Sequence, residues 1–176
     1  RSLKLLVIRD DANSSQTYEV LFHEAFHQFA YRFTPFIPMW ANEGLATYYG
    51  LARPTSSGLL FDKPAASYFR VVREAGSARA LIPPGQLMAM DRAQFYSKEK
   101  ISNLEMSTQT LCYAQAYTLV SYILSDQDGA AHLRTYLKDL AGAKNYSTVS
   151  AISDRHFGRK MLDAMTPQWL TYCQKY

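Results

Sequence analysis

Apolar and polar positions alternate along this chain with two different periods. Residues 3–9, LKLLVIR, alternate weakly and are rich in Leu, Val and Ile, which predicts a strand. DDANSS (10–15) is a polar loop in which Ser14 or Ser15 is placed to cap a helix. That helix is expected over 16–33, where Phe22, Phe26, Phe29 and Phe33 step by four, three and four and form one apolar ridge, read as core. TPFIP (34–38) stops it, because proline cannot continue the backbone ladder. MWANEGLATYYGL predicts a second helix over 39–51, and Arg53-Pro54 with TSSG (55–58) breaks the chain again.

The remainder reads as helical. AASYFRVVREAG (65–76) is a third helix with Gly76 as its stop. Residues 79–110 are less periodic, with a turn at IPPG (82–85) and a short helix over 86–95. In CYAQAYTLVSYILS (112–125) the polar residues Gln115, Thr118, Ser121 and Ser125 fall on one stripe of an otherwise apolar helix. Leu133, Tyr136, Leu137 and Leu140 have core spacing in a helix over 131–142. Short helices are expected at 147–158 and 159–165. A separate one is expected at 166–174, with Thr166 as cap and Pro167 at its first position. The pattern is that of an α+β domain, predominantly α.

Composition narrows this picture. The 176 residues are 48% hydrophobic and 14% aromatic, enough for a core and too apolar for disorder. The net charge of +4 is scattered, with small groups at Lys98/Lys100 and Arg155/Arg159/Lys160, which reads as solvated surface and not as a nucleic-acid stripe. No apolar run is long enough to span a bilayer. The chain opens on Arg1 without a signal-peptide pattern and reads as a trimmed or mature fragment. Cys112 and Cys173 are compatible with one bridge or with two buried thiols.

Against that background LFHEAFHQFAYRF (21–33) stands out, because it holds two of only four histidines. Four helical steps of about 100° bring His27 back to roughly 40° from His23, so both imidazoles share a face and can address one zinc ion. Glu24 lies one step round, beside such an ion without being its ligand, where it can accept a proton from a metal-bound water. A histidine pair at this spacing is also a common structural feature of helices, with each ring bonded to a backbone carbonyl. The metzincin pattern would need glycine at 30 and histidine at 33, and Ala30 and Phe33 exclude it. Glu43 is the better third ligand. The first helix climbs about 9 Å beyond His27, and a second helix returning antiparallel brings Glu43 level with the pair. Read alone, Glu43 is equally an acidic residue favoured in a helix's first turn. Asn42 reads as polar surface near a helix start, Tyr113 and Tyr117 as core aromatics, and His132 and His156 as ordinary exposed histidines.

HEAFH followed by WANEGLATYY resembles the gluzincin metallopeptidases, the peptidase MA-like group, and YAQAYTLVSYIL (113–124) resembles the helix that follows in poorly characterised bacterial domains of that group. The likeness covers most of 18–125, and only the two zinc helices carry specific motifs. It implies one zinc ion held by His23, His27 and Glu43, with Glu24 as general base. It further implies a zincin-like domain whose N-terminal lobe (1–78) carries the strand and zinc helices, facing a helical lobe (79–176) across a cleft. Related enzymes use a tyrosine or histidine as oxyanion donor. Tyr113 is the first choice because it opens the matching segment, with Tyr117, His132 and His156 as rivals. Thr47 stands where the thermolysin-like branch has an aspartate, and its hydroxyl is placed to accept an imidazole N–H. The glycine-x-methionine-glutamate-asparagine motif of the aminopeptidase branch is absent, which leaves an endopeptidase as the expected activity. Peptides or proteins are the expected substrates, and an extracytoplasmic bacterial location the implied address. The alternative is a zincin-like binding or assembly module with lost or very narrow turnover.

Overall fold

The computed structural model describes residues 14–61 and 64–176. The strand expected at 3–9 lies outside the described residues. Those described are predominantly helical with one small two-stranded sheet, as the α+β reading anticipates. The elements in chain order are α1 (Ser14–Phe33), α2 (Met39–Gly50), β1 (Arg53–Thr55), β2 (Gly58–Leu60), α3 (Ala66–Ser77), α4 (Pro84–Ala89), α5 (Arg92–Phe95), α6 (Thr108–Ile123), α7 (Gln127–Ala141), α8 (Tyr146–Phe157) and α9 (Arg159–Cys173).

Helix α2 is the centre of the packing, lying between α1 and α6. It is buried on nearly every side because its side chains are small where neighbours press closest. A Cβ on Gly44 would lie 2.6 Å from the Ala116 carbonyl oxygen and 2.8 Å from Val120 Cγ2 of α6. A Cβ on Gly50 would lie 2.9 Å from the Glu19 carbonyl oxygen of α1. Gly50 thus faces Glu19 and His23 while Glu43 faces His23 and His27, so the two helices run antiparallel. Between them Thr34 closes α1, its hydroxyl donating back to the Ala30 carbonyl at 2.9 Å.

Helix α6 carries the core onward, with Leu111, Cys112, Leu119 and Val120 fully buried. Of its polar stripe, Gln115 and Thr118 are internal and paired, while Ser121 is buried with no hydrogen-bond partner among the described residues and Ser125 is exposed. Gln115 accepts from the Ile82 N–H at 2.9 Å and donates to the Ile82 carbonyl at 2.8 Å. Thr118 accepts from the Trp169 indole at 3.3 Å. One hydrophobic cluster runs from Trp40 of α2 to Cys173 of α9.

Several local expectations are corrected. Helix α1 begins at Ser14, so Ser15 sits inside it. The break at 53–58 is a β-hairpin pairing Arg53 with Leu60 and Thr55 with Gly58, whose φ of +134° suits glycine. The short helix expected at 86–95 is two helices, and Pro84 and Gly85 of the expected turn belong to the first. Asp91 starts the second through a capping box with Gln94. The helices expected at 159–165 and 166–174 are one, with Pro167 inside it. Met165, Trp169 and Cys173, four apart, are buried along one line that outweighs the missing proline donor. Thr166 is therefore no cap, and its hydroxyl donates back to the Leu162 carbonyl at 2.6 Å.

The phenylalanine ridge of α1 is only half core. Phe22 and Phe26 are partly covered, while Phe29 and Phe33 are 64% and 53% exposed. Periodicity gives a helix an apolar face but does not supply the neighbour that covers it. Cys112 and Cys173 are buried free thiols, which settles their alternative. No helix among the described residues is long and apolar enough to cross a membrane.

The close approach at Gly44 yields a direct test. Gly44→Ala should lower the unfolding free energy by about 1–3 kcal/mol, the usual cost of overpacking, because a backbone carbonyl of α6 cannot step aside. Urea unfolding of the variant beside the parent chain measures it.

Candidate metal centre

The antiparallel α1–α2 pair brings His23, His27 and Glu43 together. His23 Nε2 lies 3.0 Å from His27 Nε2 and 3.4 Å from Glu43 Oε2, and His27 Nε2 lies 3.5 Å from Glu43 Oε1. One ligand atom from each falls within 4.8 Å of the others, a grouping that could hold a metal ion. Glu43 is 1% exposed, whereas the imidazoles are 22% and 24% exposed. The site is sealed beneath the carboxylate and open above the rings.

The donor chemistry suits a cation. His27 Nδ1 is 3.0 Å from Asn42 Oδ1, an acceptor, so this nitrogen carries the proton and His27 Nε2 presents its lone pair to the site. The Asn42 amide also donates to Glu43 Oε1 at 3.2 Å, and the Tyr96 hydroxyl donates to the same oxygen at 2.7 Å. Glu43 Oε2 is buried with no hydrogen-bond partner among the described residues. An unpaired, buried carboxylate oxygen costs several kcal/mol, and its position beside two imidazole nitrogens is where a cation would compensate it. Two neutral imidazoles and one carboxylate are also a donor set suited to zinc, leaving a fourth position open.

Burial alone would push the Glu43 carboxyl up. The two imidazoles and the Tyr96 hydroxyl outweigh it and hold the group well below the usual carboxylate range. Burial lowers His27, but the Glu43 charge, the Asn42 contact and the Glu24 charge together raise it above its ordinary value. Glu24 is exposed on α1, close enough to act on His27 through its charge.

Tyr113 is half-buried at the site. Its ring stacks on His23 at 6.5 Å between centroids and meets Phe95 and Tyr96 at 5.6 and 6.2 Å. Burial and the Glu43 charge push its hydroxyl well above the usual phenol range. Its rivals sit elsewhere. The Tyr117 hydroxyl accepts from the Ala65 N–H at 3.0 Å in the core. His132 and His156 are not ordinary exposed residues, because α7 and α8 fold them onto each other. His132 Nε2 bonds the His156 carbonyl at 3.0 Å, and His156 Nε2 meets Asp139 Oδ2 at 2.7 Å.

Two second-layer readings change. Thr47 Oγ1 is buried and has no hydrogen-bond partner among the described residues, so it holds neither imidazole. Asn42, read as surface, does that work for His27. Tyr96 escaped sequence reading altogether, lying 53 residues from Glu43 in the least periodic segment. A cavity of about 1310 Å³ is lined by Met88, Phe157, Leu162 and Trp169 among others and by none of the three candidate ligands. No family model, curated protein or solved structure matches the chain.

The raised His27 value has a definite consequence for the metal-free protein. Its contribution to stability is complete below the ordinary value of 6.5 and is lost as pH rises through the raised folded value. The unfolding midpoint of chelator-treated protein should therefore fall across that window. His27→Gln should flatten the fall, as thermal unfolding at a series of pH values would show.

Proposed function

We propose that this domain is a zinc-dependent metallopeptidase of the gluzincin kind, with a zincin-like fold, acting as an endopeptidase on peptides or proteins. The carrying observation is the convergence of His23, His27 and the buried Glu43 within 4.8 Å, with one carboxylate oxygen unpaired. The HEAFH and WANEGLA motifs point to the same three residues. Zinc bound there would lower the pKa of a water and polarise a scissile carbonyl.

The chain's own groups divide the remaining work. Asn42 fixes the His27 ring through Nδ1, which keeps Nε2 available as a ligand atom. Glu24, exposed one helical step round from His23, takes a proton from the attacking water and returns it to the leaving amine. Tyr113, against His23, donates its hydroxyl proton as a hydrogen bond to the carbonyl oxygen as negative charge develops there. A phenol is protonated at neutral pH, as a donor must be. The resemblance that suggests this chemistry also suggests an extracytoplasmic bacterial setting.

Elemental analysis should find one zinc per chain, and digestion of a peptide library should stop when a chelator is added. Glu24→Gln should keep the zinc and lose turnover by at least the 10²-fold or more that a general base contributes. Retained turnover in that variant removes Glu24 from its role. Bound zinc without any cleavage by the parent chain would assign the domain to metal-dependent binding or assembly instead.

A further inference from the structure

The two oxygens of a carboxylate are chemically equivalent until something distinguishes them, and rotation about the last side-chain bond of glutamate is broad and roughly two-fold. In Glu43 they are sharply distinguished. Oε1 receives the Tyr96 hydroxyl at 2.7 Å and the Asn42 amide at 3.2 Å, while the buried Oε2 has no hydrogen-bond partner among the described residues. The shorter bond comes from a separate element, just past the end of α5. We propose that Tyr96 is a positioning residue that pins Oε1 and thereby makes Oε2 the single metal-ligating oxygen of Glu43. This rests on the reading of the site as a metal centre.

Tyr96 is built to hold still. The Arg92 guanidinium lies 5.3 Å above its ring, a cation–π contact. The Phe95 ring meets it edge-on at 5.7 Å and Tyr113 lies at 6.2 Å on another side. The short helix bearing it is fixed at its start by the reciprocal bonds of Asp91 and Gln94. Asn42 cannot replace this arm. Its N–H bond to Oε1 is longer, at 3.2 Å, and its carbonyl oxygen is turned to His27 Nδ1. Without the Tyr96 hydroxyl only the longer Asn42 bond holds Oε1, and the carboxylate gains freedom to rotate or to offer both oxygens.

Tyr96→Phe removes one oxygen atom and keeps the ring under Arg92. Zinc affinity is measured by competition with a chromophoric chelator on metal-depleted protein, and coordination is read from the visible spectrum of the cobalt-substituted form. The variant should bind zinc about 10–100-fold more weakly, the usual effect of losing such a partner, and its cobalt spectrum should move toward higher coordination. Unfolding of the metal-free form, followed in parallel, separates folding from metal binding. Unchanged zinc affinity with an unchanged cobalt spectrum overturns the role, and so does a loss confined to metal-free stability. If the parent chain itself binds no metal, the metal reading fails and this inference with it. Tight zinc binding by both proteins removes only the inference.

Discussion

A negative charge taken almost wholly out of water is the constraint around which the rest is arranged. Glu43 is buried in the middle of α2, and an isolated ion there would cost several kcal/mol. Three kinds of partner offset that cost: the Tyr96 hydroxyl, the Asn42 amide and the paired imidazoles of α1. They leave Oε2 without a hydrogen bond among the described residues, 3.4 Å from His23 Nε2.

The fold is shaped to put the charge there. Trp40, Leu45 and the alanines of α2 belong to the hydrophobic core, so the helix cannot rotate its acid toward solvent without exposing them. Gly44 admits α6 on one side and Gly50 admits α1 on the other. The approach of α1 sets the height of His23 and His27 against Glu43. The approach of α6 sets Tyr113 against His23. One slender helix thus sets both the depth of Glu43 against the imidazoles and the approach of Tyr113 to His23. Gln115 and Thr118 show the same economy inside α6, where Gln115 is answered by Ile82 and Thr118 by Trp169.

The site is also directional. The carboxylate and its bonds close the floor, while the imidazoles keep a quarter or so of their surface open and Glu24 stands in solvent beside them. The Asp139–His156 contact of α7 and α8 is arranged the other way, with its histidine 9% exposed and its carboxylate 37% exposed.

By itself the chain of amino acids determined whatever depends on near neighbours. A spacing of four puts His23 and His27 on one face whatever surrounds them, Pro35 and Pro38 separate α1 from α2, and the length of that excursion brings Glu43 level with the pair. Helices with strong apolar periodicity were legible for the same reason. What needed the tertiary structure was every relation between distant segments. Tyr96 reaches Glu43 across 53 residues, and Asn42, not Thr47, meets the imidazole because helix rotation is set by packing against α6. Pro167 stays within α9 because Met165, Trp169 and Cys173 are buried together, and Phe29 and Phe33 stay exposed because no described element lies over them. Local periodicity states which face is apolar. Only the assembled chain decides what that face, or a buried acid, will meet.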